Sequence, residues 1–130
     1  MQRATSIILY GIPNCSTVKK ARIWLQEHNI EFFFFDFKKN TLDRTTIENW
    51  LTQVSLDLLI NRKGTTWRAL SDEQKTAASN REQAISLMIA SPSLIKRPVL
   101  ERKFDDTALG QHIAIGFSDA QYHPYFNEQP

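Results

Sequence analysis

The first third of the chain follows a strand, helix, strand pattern. Ile7–Tyr10 is a short apolar run bounded by turn-forming residues, which is typical of a buried strand. From Ser16 to His28, apolar residues recur every three or four positions and charged residues fill the other face, which predicts an amphipathic helix. The aromatic run IEFFFFDF, residues 30–37, is too short for a typical helix and predicts a second buried strand. A helix joining two such strands predicts a parallel pair with a right-handed crossover.

The pattern becomes helical over about residues 43–91. Asp43 and Ser71 are suited to cap helices, and SLDLLI (55–60) and REQAISLMIAS (81–91) carry further helical turns. No linker rich in glycine, proline or serine flanks this segment. The helices are therefore expected to form an insertion packed on a single domain that spans residues 1–130.

The last third returns to strands. KRPVLE (96–101) and HIAIGF (112–117) predict a hairpin with a long polar connection. Proline at the start of a strand removes no ladder hydrogen bond, and the Arg97-Pro98 peptide is a candidate for the cis form. SDAQYHPYF (118–126) predicts a short helix with a Ser-Asp cap, and residues 127–130 are expected to fray.

Composition narrows the class of protein. The chain has 130 residues and is 42% hydrophobic, enough for the core of one domain. Its longest uninterrupted apolar run, Phe32–Phe35, is far shorter than the roughly 20 residues of a membrane helix, and the N-terminus has no long apolar segment. We therefore expect a cytoplasmic protein with no membrane partner. The net charge is only +2 with acids and bases interleaved, which argues against a nucleic-acid partner.

The chain has one cysteine, Cys15, which rules out an internal disulfide and a four-cysteine zinc site. Val18 takes the place of the second cysteine of a C-x-x-C pair, so redox chemistry must borrow a second thiol. The three histidines have no metal-ligand spacing, and we expect no metal. Asp36 and Glu101 have no evident partner, so paired acid-base hydrolysis has no support.

Cys15 follows the first predicted strand and begins the first predicted helix. Unpaired N–H groups and about half a positive charge at a helix N-terminus favour a thiolate, lowering a cysteine pKa from about 8.5 into the range ~3.5–7.5. The small Ser16 and Thr17 leave the first-turn amides accessible to an oxyanion or a carboxylate, and Lys19 adds positive charge one turn along. Asn14, in the turn before the cysteine, is a further candidate for substrate binding. The alternative is a buried, unreactive cysteine, but this position favours a nucleophile.

Two basic segments offer candidate anion ligands. INRKGTTWR (60–68) places Arg62 and Lys63 beside an expected turn at Gly64, and Arg97 stands immediately before Pro98. An arginine that folds towards Cys15 would hold an anion or stabilise the thiolate through charge-assisted hydrogen bonds. The alternative for either arginine is a solvated surface position.

Three segments, YGIPNCSTVKKARIWL, INRKGTTWR and SLIKRPVL, closely resemble the arsenate reductase-like (ArsC/Spx) family, in particular its YffB branch. The resemblance runs in the same order over roughly residues 6–126. It implies an α/β, thioredoxin-like fold with a central mixed sheet of about four strands and an inserted helical subdomain. In the family's arsenate reductases the cysteine at the position of Cys15 attacks arsenate, and glutathione with glutaredoxin resolves the adduct. The family's arginines match Arg62 and Arg97, the latter with Pro98.

Two departures shape the functional hypothesis. The third arginine of the arsenate reductases falls near residues 115–117, where this chain has none, and Val18 removes the C-x-x-C switch of the Spx regulators. The resemblance then implies a glutathione-dependent thiol reductase that forms a mixed disulfide at Cys15. Glutathione or another small thiol would be the co-substrate, glutaredoxin a partner, and no cofactor would be bound. Arsenate reduction and a non-enzymatic, Spx-like regulator are the alternatives.

Overall fold

A computed structural model describes residues 4–104 and 111–126 of the protein. Its elements follow in chain order: β1 (Ala4–Gly11), α1 (Ser16–Glu27), β2 (Phe33–Asp36), α2 (Arg44–Trp50), α3 (Leu56–Leu59), α4 (Thr65–Arg68), α5 (Asp72–Ala77), α6 (Arg81–Ala90), β3 (Val99–Phe104), β4 (Gln111–Ile115) and α7 (Asp119–Phe126). They divide into two compact units, a sheet unit that runs to residue 39 and resumes at residue 97, and a helical unit of residues 40–96.

The sheet has four strands in the order β2-β1-β3-β4. β1 and β2 are parallel and joined by α1, as the N-terminal pattern predicts. β3 is antiparallel to both β1 and β4, which confirms the predicted hairpin. The connection between β3 and β4 and the expected frayed end at 127–130 lie outside the described residues.

One face of the sheet carries the core of the sheet unit. The strand register sets Leu9 beside Leu100, and Leu100 beside Ala114. This face packs with buried residues of α1 and α7, among them Leu25 and Tyr122. Because α1 and α7 share this core, the helix that begins at the cysteine is fixed on the sheet.

The second predicted strand is real but not buried. β2 is a four-residue edge strand in which Phe33 is 56% exposed and only Asp36 is buried. An edge strand has one neighbour, so the aromatic run can place some of its rings in solvent. The sequence therefore predicted the position of the second strand correctly, but the prediction that the strand is buried was wrong.

Two helices of the helical unit, α2 and α5, begin at the predicted caps, Asp43 and Ser71. The side chains of Asp43, Ser55, Ser71 and Asn80 each accept a hydrogen bond from a backbone N–H in the first turn of α2, α3, α5 and α6. α4 was not expected, because Gly64 reads as a turn and instead stands at the helix N-cap. Within the described residues, no helix is long and apolar enough to span a membrane.

The two carboxylates that stand alone in the sequence, Asp36 and Glu101, have hydrogen-bond partners in the fold. Glu101 is only 2% exposed and accepts a hydrogen bond from the Tyr10 hydroxyl at 3.0 Å. The Asp36 carboxylate accepts the backbone N–H of Lys38 at 2.8 Å. Residues 91 apart in sequence meet because β1 and β3 are neighbours, which spacing along the chain does not reveal.

Candidate functional site

The candidate site lies at the end of the sheet where the central strand β1 leads into α1. A tight turn, in which the Cys15 N–H donates to the Ile12 carbonyl at 3.3 Å, leads from this strand into α1. Cys15 is the N-cap of α1 with an extended backbone (φ −92°, ψ 126°), and its carbonyl accepts the first helical hydrogen bond from Lys19. The thiol is half-buried and not in a disulfide. The sheet therefore holds a single thiol at the open end of a helix.

The surroundings of Cys15 lower the pKa of its thiol. Partial burial removes water and raises the pKa, but three groups act in the opposite direction and prevail. The backbone N–H of Val18 has the largest lowering effect, followed by the Arg97 side chain and the backbone N–H of Thr17. These groups favour the thiolate by hydrogen bonding, and the Arg97 charge adds to the effect. A thiolate is the form that attacks disulfides and other electrophiles.

A close contact between β1 and α1 supports this helix start. A Cβ atom built on Gly11 would lie 2.7 Å from Cγ2 of Val18, so only glycine allows the strand end to approach the first turn this closely. Val18 is fully buried there. Its side chain packs on the strand while its N–H acts on the thiol, a double role that sequence reasoning missed.

Arg97 and Pro98 lie at the same end of the sheet as Cys15. The Arg97-Pro98 peptide is cis, as proposed from the sequence, and Arg97 is half-buried with its side chain hydrogen-bonded to the cysteine. The Pro98 carbonyl accepts the N–H of Gly116, which follows β4, at 2.8 Å. The structure therefore brings together Cys15, Arg97 and Pro98 from distant parts of the sequence.

The other residues predicted for substrate binding are close to Cys15 along the chain. Asn14 and Ser16 are exposed on either side of it, and Thr17 is half-buried. Lys19 is exposed one turn further along α1 and is not one of the groups that lower the thiol pKa. Their roles in binding stay predictions.

Arg62 belongs to the helical unit and has partners there. Its guanidinium forms an ion pair with Asp57 at 2.9 Å and lies over the Trp67 ring, 5.2 Å from the centroid. Beside it is a groove of about 270 Å³ that Lys63 and Lys96 also line. Arg62 therefore stands in a mainly cationic groove of this unit, and its predicted role in anion binding stays a prediction.

Phe117 ends the segment 115–117, which supplies no arginine. Its ring packs edge-on against Tyr122, with the two centroids 4.7 Å apart. Tyr122 belongs to the core of the sheet unit, and burial raises its pKa. The residue of this segment that lies next to Pro98 is therefore Gly116, whose positive φ gave no signal in the sequence.

No group of three or more histidine, cysteine, aspartate or glutamate side chains in residues 4–104 and 111–126 is placed to hold a metal ion.

The fold and the site define a thioredoxin-like protein with one cysteine at the start of its first helix, where its surroundings lower the pKa of the thiol. Residues 10–124 match the ArsC family, and the chain belongs to it. A solved structure of a YffB protein is 41% identical, covers 92% of this chain and 97% of its own, and superposes with a TM-score of 0.81. The predicted family, branch and fold are confirmed.

Other relatives carry different descriptions. An arsenate reductase (ArsC) related protein from Brucella melitensis is 41% identical, with 94% and 95% of the two chains covered and a TM-score of 0.66. An uncharacterised protein of Haemophilus influenzae is 41% identical over 92% of this chain and 98% of its own. The global transcriptional regulator Spx of Lactiplantibacillus plantarum is 26% identical over 72% of this chain and 71% of its own. The family thus includes both reductase-related proteins and regulators.

Proposed function

We propose that the protein is a thiol oxidoreductase that uses glutathione as its co-substrate and Cys15 as its nucleophile. The observation that carries the proposal is the position of Cys15 at the N-cap of α1, where the first-turn backbone N–H groups and the Arg97 side chain lower the pKa of its thiol. Membership of the ArsC family supports the same class of chemistry. A lower thiol pKa raises the thiolate fraction at a given pH, and the thiolate is the form that attacks a disulfide.

The proposed reaction is thiol-disulfide exchange. The Cys15 thiolate attacks one sulfur of oxidised glutathione, the disulfide bond breaks, and one glutathione leaves as its thiolate. The product is a mixed disulfide between Cys15 and the other glutathione. Because the chain has no second cysteine, an external thiol, of glutathione or of a glutaredoxin, must attack the mixed disulfide and release reduced Cys15.

The anionic groups of glutathione fit the cations predicted for the site. Arg97 is next to the thiol, and the first-turn amides near Ser16 and Thr17 attract carboxylates. Asn14 and Lys19 are exposed close by in sequence, and Arg62 is a further candidate in the helical unit. The cytoplasm, where glutathione keeps thiols reduced, is the compartment in which we expect this reaction.

Mass spectrometry tests the proposal directly. Reduced protein incubated with oxidised glutathione at neutral pH should gain one glutathione per chain, and a reduced glutaredoxin should remove it. Cys15→Ser is the matched control and should gain none. An unmodified Cys15 after prolonged incubation would overturn the proposal.

Arsenate reduction is the second candidate, because the related Brucella melitensis protein is described as arsenate reductase-related. We expect little or no arsenate turnover, since residues 115–117 supply no arginine. One missing charge-assisted donor costs roughly 1.5–3 kcal/mol, or about ten- to a hundredfold in affinity. A coupled glutathione and glutaredoxin assay with arsenate decides the point: robust turnover that is lost in Cys15→Ser would favour arsenate as the substrate.

A regulator that binds a protein partner is the third candidate, because an Spx protein is among the relatives. Val18 is fully buried where a C-x-x-C switch would need a second cysteine. This position cannot form the internal disulfide of such a switch. A Cys15 that stays unmodified by oxidised glutathione would favour this reading over the enzyme.

A further inference from the structure

Gly116 differs from Gly11, the close-packed glycine at the end of β1. At Gly11 a Cβ atom would collide with Val18, whereas at Gly116 a Cβ atom would meet nothing within 4 Å among the described residues. The backbone of Gly116 has φ +80°, a conformation that asparagine and glycine tolerate better than other residues. Packing therefore does not explain the missing side chain, and the turn admits asparagine as well as glycine.

Gly116 lies at the same end of the sheet as Cys15. Its N–H donates to the carbonyl of Pro98, the residue after Arg97. Arg97 in turn is hydrogen-bonded to Cys15. The register agrees, because Val99 pairs with both Ile115 of β4 and Tyr10 of β1, so the ends of these strands meet beside the cysteine loop. The open space at Gly116 is thus at the same end of the sheet as Cys15.

We propose that Gly116 is a specificity-determining position whose missing side chain leaves room for a bulky disulfide acceptor beside Pro98. The inference rests on the proposed function, since it concerns the acceptor that Cys15 attacks. An exchange reaction needs the acceptor's two sulfur atoms in line with the thiolate, so the substituents on both sulfurs must be accommodated near Cys15. A small acceptor needs little of this room, whereas oxidised glutathione carries a tripeptide on each sulfur.

The matched variants are Gly116→Asn and Phe117→Leu. Asparagine adopts a positive φ more readily than most residues, so Gly116→Asn fills the space with less strain in the turn than other side chains would cause. Phe117→Leu alters the neighbouring ring, which packs on Tyr122, and adds nothing at position 116. Iodoacetamide alkylation of Cys15 reports for each variant whether the thiol and the fold around it are intact.

The experiment compares the rates of mixed-disulfide formation with oxidised glutathione and with the small bis(2-hydroxyethyl) disulfide. Gly116→Asn should react about tenfold more slowly with oxidised glutathione, change less than about twofold with the small disulfide, and keep the parent's alkylation rate. Phe117→Leu should show no such selectivity. Equal rates for parent and Gly116→Asn with oxidised glutathione, or an equal loss with both disulfides, would overturn the inference and leave glycine needed for the turn alone. A parent that reacts with neither disulfide would instead refute the proposed function, and the inference with it.

Discussion

The arginines of the sheet unit and those of the helical unit have different surroundings. Arg102 of the sheet unit is 6% exposed and donates to the Tyr125 carbonyl at 2.5 Å, and Arg97 acts on the half-buried thiol of Cys15. In the helical unit, the side chains of Arg44 and Arg62 are 39% and 37% exposed and belong to ion pairs with carboxylates on the surface.

This difference determines what each arginine can do. A charge that is partly removed from water interacts strongly with its neighbours, whereas water and salt screen an exposed ion pair. Arginines of the sheet unit therefore shape the fold and the reactivity of the thiol. Those of the helical unit contribute little to stability, and a functional role for Arg62 must come from a ligand.

The largest expected effect concerns Arg102. Its guanidinium is surrounded by aromatic rings, with the centroids of Phe104 and Tyr125 each at 5.0 Å and that of Phe126 at 5.3 Å. Arg102→Ala should lower the free energy of unfolding by about 2–4 kcal/mol, because it removes this packing and the bond that holds α7. Urea denaturation measures the change.

Arg44→Ala is the control for Arg102, since Arg44 pairs with Glu48 and Glu82 on the surface of the helical unit. It should cost less than about 1 kcal/mol. Losses of equal size in the two variants would contradict the distinction between buried and exposed arginines.

The second prediction concerns Arg97 and Lys63. Arg97→Ala should slow mixed-disulfide formation with oxidised glutathione about ten- to a hundredfold, because it removes a hydrogen bond to the thiolate and a cation beside it. It should also shift the pH profile of alkylation upward, since a group that lowers the thiol pKa is gone. Lys63→Ala, which removes an exposed cation, should have a much smaller effect on both. Equal effects would show that Arg97 has no special access to the thiol.

The smallest expected effect concerns the pair of Arg62 and Asp57. The Asp57 side chain is 85% exposed, so Asp57→Ala should change the free energy of unfolding by only about 0.2–1 kcal/mol, and the difference should shrink as salt is added. Denaturation at low and high ionic strength measures it. A large loss that persists at high salt would mean that the pair is structural.

Local patterns in the sequence predicted the elements that depend on local signals. The period of α1 and the caps at Asp43 and Ser71 were correct, because near neighbours in the chain determine them. The antiparallel hairpin was also correct, although β3 begins and ends three residues later than the predicted segment 96–101. The position of Cys15 at a helix start was predicted in the same way. The exposure of Phe33 was missed because it depends on the place of β2 at the sheet edge.

The sequence could not predict contacts that the sheet creates between distant segments. Tyr10 contacts Glu101 because β1 and β3 are neighbours in the sheet, and Arg102 contacts Tyr125 because α7 packs near β3. The contribution of Val18 to the thiol pKa likewise requires the geometry of the first turn. The sequence left two alternatives for Arg97, a position beside Cys15 or a solvated position on the surface. In the structure, Arg97 lies beside Cys15.

The central claim is that Cys15 is an activated thiol, and its alkylation by iodoacetamide across pH tests this claim most directly. The chain has no other cysteine, so the rate reports this thiol alone. A lowered pKa predicts a rate that rises with pH to an inflection clearly below the value of about 8.5 for an ordinary cysteine. An inflection at or above about 8.5 would contradict the account, and with it the proposed role of Cys15 as nucleophile.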